Sequence, residues 1–525
     1  MFEGCTPCNH DGLKCLDDVV SLKSGYWWQW KNKTLYELYR NFTKNLRNPA
    51  FAPELHKASN SEFKFPYTIP QPYRCPIAKA CKGGLNSSCE VGYEGPLCAV
   101  CSDGYYKLLK KCKLCPTKGW MIGQLAIMGA IVMLLVVVVV WRSKKNSKKS
   151  GGRSFIDIVL GRIKVIIGFY QVTFGIMEAF SYIKWPKTLS TIGKYSEVVQ
   201  VNVLQIAPLH CVIPSLEFDA FGSLFAVMSL NGAAVIVALV SFGLVTITST
   251  RHVLNEEEKL KKKEHIKAVV KGNLFFFLYV TYLNTCLKTA QVVPLACHKI
   301  CVDEKDKRCE EYLKADYSIN CNGKRYNRLV FAGYCSIGYV IVLPVAALMA
   351  IWKRKRAMRK TEDETTDTDN FQDPGTEHSG LRFLYENYSP RCWYWELVET
   401  FRKVTLTSGL ILVGGESRAY IGLALVLSGL YGMYFALKEP IIDPFENKLM
   451  LTSPAVTFVN LGIGAVSTIP KEGIPSSVDP VLDTLVFNSL VFVANSLVIG
   501  LLVGKLEHTF CLSQNPPTSL GELTP

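Results

Sequence analysis

Several ionisable and amide side chains of this chain stand inside long apolar segments, at spacings that share one face of a helix. Three recur every seven residues, three occupy positions i, i+4 and i+7, and two more are again seven apart. In that order they are Lys164, Gln171 and Glu178; Asn284, Lys288 and Gln291; and Asn488 and Asn495. Because a charge at the centre of a bilayer costs about 2.5–3.5 kcal/mol, these groups are expected to face the bundle interior or water.

Two kinds of chemistry fit these polar stripes. They could line an ion-conduction path or a ligand cavity, or they could form hydrogen bonds between helices, worth about 0.6–2 kcal/mol each. Hydrogen bonding is the simpler interpretation for a single amide, including Asn231 and Asn460 on two further helices. For Lys288 and Glu178, which are ionisable, the sequence favours the two interpretations about equally.

A second charged group opens a later apolar segment. Glu399 precedes Arg402 by three residues and Lys403 by four, so on a helix the acid can neutralise either base. Trp393 and Trp395 just before it suit a membrane interface. The run is interpreted as an interfacial turn ahead of a span, and a gating elbow is the alternative.

Nineteen cysteines fall in clusters, a usage typical of an oxidising compartment. The C-x2-C pairs Cys98/Cys101 and Cys112/Cys115 could instead hold zinc through four thiolates, but the spacing between the pairs is short for a zinc ribbon. Disulfides, each worth about 2–4 kcal/mol, are therefore predicted. The candidates are Cys75, Cys81, Cys89, Cys98, Cys101, Cys112, Cys115, Cys297, Cys301, Cys309 and Cys321.

Three acceptor triplets for N-glycosylation accompany the first cysteines. They begin at Asn32, Asn41 and Asn86. Each triplet alone is a weak signal, but sequons and cysteines together indicate that residues 1–118 face the cell exterior.

Catalytic signatures are missing from the sequence. It contains no Walker A loop, no H-E-x-x-H, no G-x-S-x-G and no kinase signature. His210 beside Cys211 is expected to be a surface or satisfied histidine rather than part of a dyad. We therefore predict no enzyme, no catalytic residue, no cofactor and no metal site.

The elements that must position these residues are membrane helices. A hydrophobic fraction of 49% is high for a chain with 20% charged residues, so the apolar residues are concentrated in runs near the length that crosses a bilayer. The fold class predicted is mostly α, a polytopic transmembrane bundle of about nine spans with a small disulfide-rich extracellular N-terminal domain. The predicted spans are 120–141, 163–183, 220–247, 270–294, 329–351, 394–414, 419–437, 449–468 and 482–504.

Basic residues at the ends of the apolar segments set the predicted orientation. The net charge of +15 is interpreted as basic residues that face anionic cytoplasmic lipid, and not as a sign of nucleic-acid binding. The outer loop 295–328 is itself basic, and its four cysteines are the reason for keeping it outside. The predicted divisions are a head at 1–74, a disulfide module at 75–118, spans 1–5 within 119–351, a cytoplasmic linker at 352–393, spans 6–9 within 394–504 and a cytoplasmic tail at 505–525.

The first residues lack the apolar core of a signal peptide. Since a head of this size is hard to translocate without one, residues upstream of Met1 are expected.

The module from Cys75 to Cys115, with the run Gly95 to Cys101, resembles the last EGF-like or ephrin-receptor-like module of large ectodomains. With Trp185-Pro186 and the run Phe383 to Lys403, the order resembles uncharacterised multi-pass membrane proteins of marine invertebrates and protists. Their membrane half is compared with transient-receptor-potential and polycystin-type channels. The resemblance implies a cation-conducting or sensory protein of the plasma membrane, although no selectivity-filter loop is recognisable.

The alternative function is a non-conducting adhesion or signalling receptor with a disulfide-rich ectodomain. Either protein has the lipid bilayer as a partner and is expected to meet an extracellular ligand or matrix partner. The two differ in the bundle interior, since conduction needs a continuous hydrated path while a receptor can have a dry bundle with its amides paired internally.

Overall fold

A computed structural model describes most of the head and most of the helices. The described residues are 12–16, 19–46, 65–108, 111–123, 155–180, 185–199, 219–251, 255–301, 309–364, 387–413, 418–467 and 488–498, with a few isolated positions such as Cys211 and Leu384. The first predicted span, residues 365–383 of the linker predicted at 352–393, and the tail 505–525 lie largely or wholly outside them. The chain divides into two compact units, one of hairpins and one of helices.

The first unit combines residues 1–127, 204–223 and 291–334. Its described elements are five short antiparallel strand pairs, one three-stranded antiparallel sheet and one amphipathic helix, as expected of a small domain with few apolar residues to bury. They are β1 (Leu13–Leu16), β2 (Val19–Leu22), β3 (Tyr26–Trp27), α1 (Lys33–Leu46), β4 (Tyr73–Arg74), β5 (Cys81–Gly83), β6 (Ser88–Cys89), β7 (Tyr93–Glu94), β8 (Val100–Cys101), β9 (Tyr105–Leu108), β10 (Lys111–Leu114), β11 (Cys297–Cys301), β12 (Cys309–Leu313) and β13 (Asp316–Asn320).

Disulfides staple these hairpins. All eleven candidate cysteines are bonded, and Cys211 supplies the partner that an odd number requires. The pairs are Cys75–Cys81, Cys89–Cys98, Cys101–Cys112, Cys115–Cys211, Cys297–Cys321 and Cys301–Cys309. The zinc alternative for the two C-x2-C pairs is wrong, since each of these four thiols has a disulfide partner.

The loop between the fourth and fifth predicted spans shares its core with the N-terminal head. Ile300 and Tyr317 of this loop are buried in one cluster with Trp27 and Leu97 of the head. The Tyr73 hydroxyl donates to the carbonyl of Cys301 at 2.9 Å and accepts from its amide at 2.6 Å. Segments that pack together lie on one side of a membrane, so this basic loop lies on the side of the head despite its lysines and arginines.

The second unit contains the helices and residues 128–203, 224–290 and 335–525. Helices α4, α5 and α6 begin or end in the first unit and continue here. The helices are α2 (Phe155–Ala179), α3 (Lys187–Val199), α4 (Ala220–Thr250), α5 (Glu256–Val292), α6 (Lys324–Glu364), α7 (Trp395–Val404), a π-helical turn (Thr405–Gly409), α8 (Leu410–Val413), α9 (Arg418–Lys438), α10 (Pro444–Ser467) and α11 (Asn488–Val498).

The prediction of nine spans is not supported. Among the described residues five helices are long and apolar enough to cross a membrane: Ala220–Ser249, Glu256–Val292, Lys324–Lys353, Ala419–Lys438 and Pro444–Ser467. The segments predicted at 163–183 and 394–414 do form helices, but α2 and α7 carry several charges. Helix α7 is also only ten residues long, and most of the predicted span 120–141 and part of the span 482–504 lie outside the described residues.

Pro344 lies inside α6, and a side chain of a neighbouring helix bonds to the carbonyl that the proline leaves without a donor. A proline has no N–H to donate to the carbonyl four residues earlier, here that of Val340. The Tyr282 hydroxyl of α5 donates to this carbonyl at 2.9 Å. Such re-satisfaction is what makes a proline tolerable in a membrane helix, and it ties α5 to α6 at the break.

Candidate functional site

A cluster of buried charges gathers around Glu396 on α7, whose side chain is 1% exposed. Lys164 of α2 lies 2.6 Å from its Oε2, which also accepts from the Tyr388 hydroxyl at 2.9 Å. The Tyr279 hydroxyl of α5 donates to Oε1. One carboxylate therefore bonds two helices and the segment before α7.

A second carboxylate lies one turn further along α7. Glu399 receives two hydrogen bonds from Arg402, at 2.9 and 2.7 Å, and lies 3.4 Å from the Lys403 ammonium. The Tyr431 hydroxyl of α9 donates to it at 2.6 Å. The predicted spacing of acid and bases is thus realised, and the Glu399 side chain is 2% exposed with Arg402 and Lys403 also buried. Since burial within the protein does not place this turn relative to a membrane, the interfacial turn and the gating elbow both stay predictions.

The two carboxylates and their partners form what we call the charge cluster: Lys164, Glu396, Glu399, Arg402 and Lys403. Three cations face two anions, and Arg402 Nη1 is buried without a hydrogen-bond partner among the described residues. The Arg402 guanidinium also lies over the Tyr431 ring, 4.7 Å from its centroid. Charges held in this way add little net stability but strongly disfavour any arrangement that separates them.

Glycines of α2 allow α7 and the π-helical turn to approach closely. Gly161, Gly168 and Gly175 recur every seven residues and so lie along one face. A Cβ at Gly168 would lie 2.6 Å from Lys403 Nζ, and one at Gly175 would lie 2.6 Å from Thr407 Cβ. Small residues at such positions are how membrane helices pack backbone to backbone.

The segment before α7 is anchored to the turn between α9 and α10. Ser389 N donates to the Pro440 carbonyl at 2.8 Å, and Ile442 N donates to the Asn387 carbonyl at 3.0 Å. These bonds hold Tyr388 where its hydroxyl reaches Glu396. Burial and the negative charge of Glu396 raise the pKa of the Tyr388 phenol well above its usual range, so it stays a hydrogen-bond donor.

Four of the eight predicted polar stripe residues, Lys164 among them, bond to another helix. Gln171 of α2 donates to the Val280 carbonyl of α5 at 3.3 Å. Asn488 accepts from both the amide and the hydroxyl of Thr188 at 3.0 Å, near the N-terminus of α3. Asn495 and Asn460 exchange two amide hydrogen bonds, at 3.3 and 3.1 Å, which join α11 to α10.

The polar face of α5 continues this pattern. Asn231 of α4 accepts from Thr281 at 2.8 Å and donates to Thr285 at 3.2 Å. Thr289 bonds to Ser336 of α6 at 3.0 Å. Helix α5 therefore has side-chain hydrogen bonds to α2, α4, α6 and α7, more than periodicity alone could show.

The other four stripe residues are buried or half-buried. Lys288 and Gln291 are buried, and Glu178 is half-buried. Asn284 is buried, and its Oδ1 has no hydrogen-bond partner among the described residues.

Two small cavities adjoin these groups. One is lined by Thr173, Thr457 and Asn460 with apolar neighbours, and the other by Tyr279, Glu396, Thr400 and apolar residues around Pro344. Each has a volume of about 10 Å³, roughly the room for one water molecule. Neither is wide enough in this state for a hydrated ion or an organic ligand.

The candidate glycosylation sites lie at the surface of the head. Asn32, Asn41 and Asn86 are all exposed. The Asn32 side-chain oxygen accepts from the amide of Leu35 at 2.8 Å and so caps α1, which leaves its nitrogen available. Within the described ranges no group of three His, Cys, Asp or Glu side chains could hold a metal ion.

Sequence reasoning missed four members of the site: Glu396, Tyr279, Tyr388 and Tyr431. Glu396 stands in the charged run that was singled out, but its partners come from α2 and α5, far away in the chain. The tyrosines carry no signal of their own, because an aromatic residue in an apolar helix looks like an ordinary packing residue.

Comparison with known proteins gives one family match, within the head. Residues 73–117 match the model of a domain of unknown function (DUF7630). The matched segment coincides closely with the disulfide module predicted at 75–118. No curated protein and no solved structure gives a significant match.

Proposed function

We propose that this chain is a plasma-membrane receptor that does not conduct ions, with a glycosylated, EGF-like disulfide-bonded head outside the cell. The observation that carries this proposal is the state of the bundle interior. Gln171, Asn231, Asn460, Asn488 and Asn495 are all engaged in hydrogen bonds between helices. Groups satisfied in this way hold helices together and have no need of a water-filled path.

The assembly of the head supports an extracellular sensing role. Three separate segments contribute to it, joined by the Cys115–Cys211 disulfide and by the burial of Ile300 and Tyr317 against head residues. The loop of β11 to β13 continues directly into α5 and α6 at its two ends. A partner that shifts this loop therefore acts on two helices of the bundle through the chain itself.

In this proposal the charge cluster is the element that responds. Glu396 is bonded from α2, α5 and the segment before α7, so a movement of α5 must break or carry along its bond from Tyr279. Since separating buried charges is strongly unfavourable, the bundle favours discrete arrangements over gradual deformation. A receptor needs such a two-state element to transmit a binding event.

Cation conduction is the second candidate, implied by the resemblance to transient-receptor-potential and polycystin-type channels. One observation favours it: Asn284 Oδ1 is buried without a hydrogen-bond partner among the described residues, on the same face of α5 as Lys288. In an open state these groups could meet water.

Ion flux separates the two candidates. The full chain is reconstituted in liposomes loaded with a potassium-sensitive dye, and flux is compared with liposomes that contain no protein and with liposomes containing gramicidin. We expect flux at the level of the liposomes without protein. Cation flux that falls on substitution of Asn284→Leu, but not on substitution of the exposed Asn255→Leu, would contradict the receptor proposal and favour the channel.

A further inference from the structure

A basic patch lies where the apolar part of α6 ends. Its residues are Trp352, Lys353, Lys355 and Arg356 of α6, with Arg391 and Trp393 from the segment before α7. The apolar span runs to Lys353, so the patch is level with the end of the membrane-crossing segment. Trp352 is 50% exposed there, as expected for a tryptophan at a lipid–water interface.

Aromatic rings hold two of the cations in place. The Lys355 ammonium lies over the Trp393 ring, 4.8 Å from its centroid, and the Arg356 guanidinium lies over the Trp352 ring at 5.6 Å. Trp393 is itself packed on the core formed with Ile351. A cation stacked on a ring has already lost much of its rotamer freedom, so less entropy is lost when it binds an anion.

Ion pairing distinguishes this patch from the other lysine-rich part of the described chain. Among the described residues none of its four cations has an ion pair with a carboxylate. The N-terminal part of α5 is equally rich in lysine but is partly neutralised, with Lys259 paired to Glu256 at 3.1 Å and Lys262 to Glu258 at 3.2 Å. The lysines of α5 therefore have less unpaired positive charge to offer an anion than the basic patch of α6 has.

We propose that the basic patch binds the headgroup of a polyphosphorylated anionic lipid. Clustered cations at the bilayer surface favour a headgroup that carries several phosphates over one with a single charge. A guanidinium matches phosphate oxygens through two parallel hydrogen bonds. This inference depends on the membrane location of α6 and is independent of whether the chain is a receptor or a channel.

Native mass spectrometry of the full chain in detergent tests the proposal. The protein is titrated with a phosphatidylinositol bisphosphate and, in parallel, with phosphatidylserine of the same acyl chains. We expect the bisphosphate to bind more tightly, and the variant K353Q/K355Q/R356Q to bind it about tenfold more weakly. The matched control K259Q/K261Q/K262Q, which removes the same charge from α5, should bind like the unmodified chain.

Other outcomes decide against the proposal. Equal losses in the two variants would mean that only overall charge matters, and equal affinity for the two lipids would remove the polyphosphate specificity. A soluble inositol phosphate that competes as well as the lipid would show a site for a free anion. The conservative variant K353R/K355R keeps the charge and should bind the bisphosphate like the unmodified chain, so a loss of binding there would contradict recognition by these cations.

The chain's own acidic segment is the competing occupant. Residues 362–377 contain seven acids and no lysine or arginine. If lipid binds only after these acids are replaced by Gln and Asn, the patch is covered by this segment and the lipid proposal fails.

Discussion

At the scale of single residues, Glu399 is the acid that neutralises the buried bases of α7 in the charge cluster. It accepts hydrogen bonds from Arg402 and Tyr431 and lies beside Lys403, all in the interior. An isolated charge there would be far more costly than the pair, because the interior offers no water to replace the lost partner.

Replacement of Glu399 by Gln should therefore destabilise the protein strongly. The change leaves Arg402 and Lys403 buried without their acid, and we expect a loss of about 3–5 kcal/mol in the free energy of unfolding. Thermal and denaturant unfolding in detergent micelles would measure it. Glu258→Gln is the matched control, since it breaks the exposed pair with Lys262 and should change stability by less than about 1 kcal/mol. Similar effects of the two changes would show that the cluster is not buried in the membrane-embedded protein.

At the scale of elements, the packing of α2 against α7 and the π-helical turn depends on glycine. The three glycines of α2 are spaced so that each faces a different neighbour: Asn387, Lys403 and Thr407. Where the neighbour is the end of a lysine side chain it can move aside. Where the neighbour is Thr407, its Cβ is attached directly to the backbone of the π-helical turn, so this side chain has little room to move.

Replacement of Gly175 by Ala should thus separate these elements. The new methyl group would lie 2.6 Å from Thr407 Cβ, and we expect a cost of about 1–3 kcal/mol from the resulting displacement. Gly232→Ala in α4 is the control: nothing lies within 4 Å of its Cβ, so it should be neutral or stabilise by up to about 1 kcal/mol through helix propensity. The unfolding midpoints of the two variants give the comparison, and a neutral Gly175→Ala would contradict the close approach.

At the scale of the whole molecule, the head is assembled from three segments, residues 1–127, 204–223 and 291–334, which are separated in the chain by helices of the bundle. The Cys115–Cys211 disulfide joins the end of the disulfide module to residues 204–223, and the burial of Ile300 and Tyr317 joins the loop of β11 to β13. Because these segments lie on the same side of the bilayer, the chain between two of them must cross it an even number of times. This parity constrains the topology more firmly than loop charge does.

Replacement of Cys211 by Ser tests both the disulfide and the orientation. It opens a loop of 96 residues, and we expect the head to lose about 2–5 kcal/mol of stability. It should also leave Cys115 as a free thiol that a membrane-impermeant maleimide labels on intact cells. Cys335→Ser, which removes a cysteine that is free already, should create no new labelling. Labelling of the Cys211→Ser protein only after permeabilisation would place the head in the cytosol and overturn the proposed orientation.

The sequence by itself determined that the chain is mostly helical, with apolar segments long enough to cross a membrane, and it identified eleven of the cysteines that form disulfides. These follow from local properties: apolar runs form helices in lipid, and clustered cysteines with sequons indicate an oxidising compartment. The sequence also showed Glu399 with its two bases, because all three lie within one turn of a helix. It could not show that these charges are buried, that Glu396 bonds Lys164 and Tyr279, or that Cys115 pairs with Cys211. Only the tertiary structure decided these points, since hydrogen bonds, ion pairs and disulfides between distant segments depend on which helix faces which, and helical periodicity carries no such information.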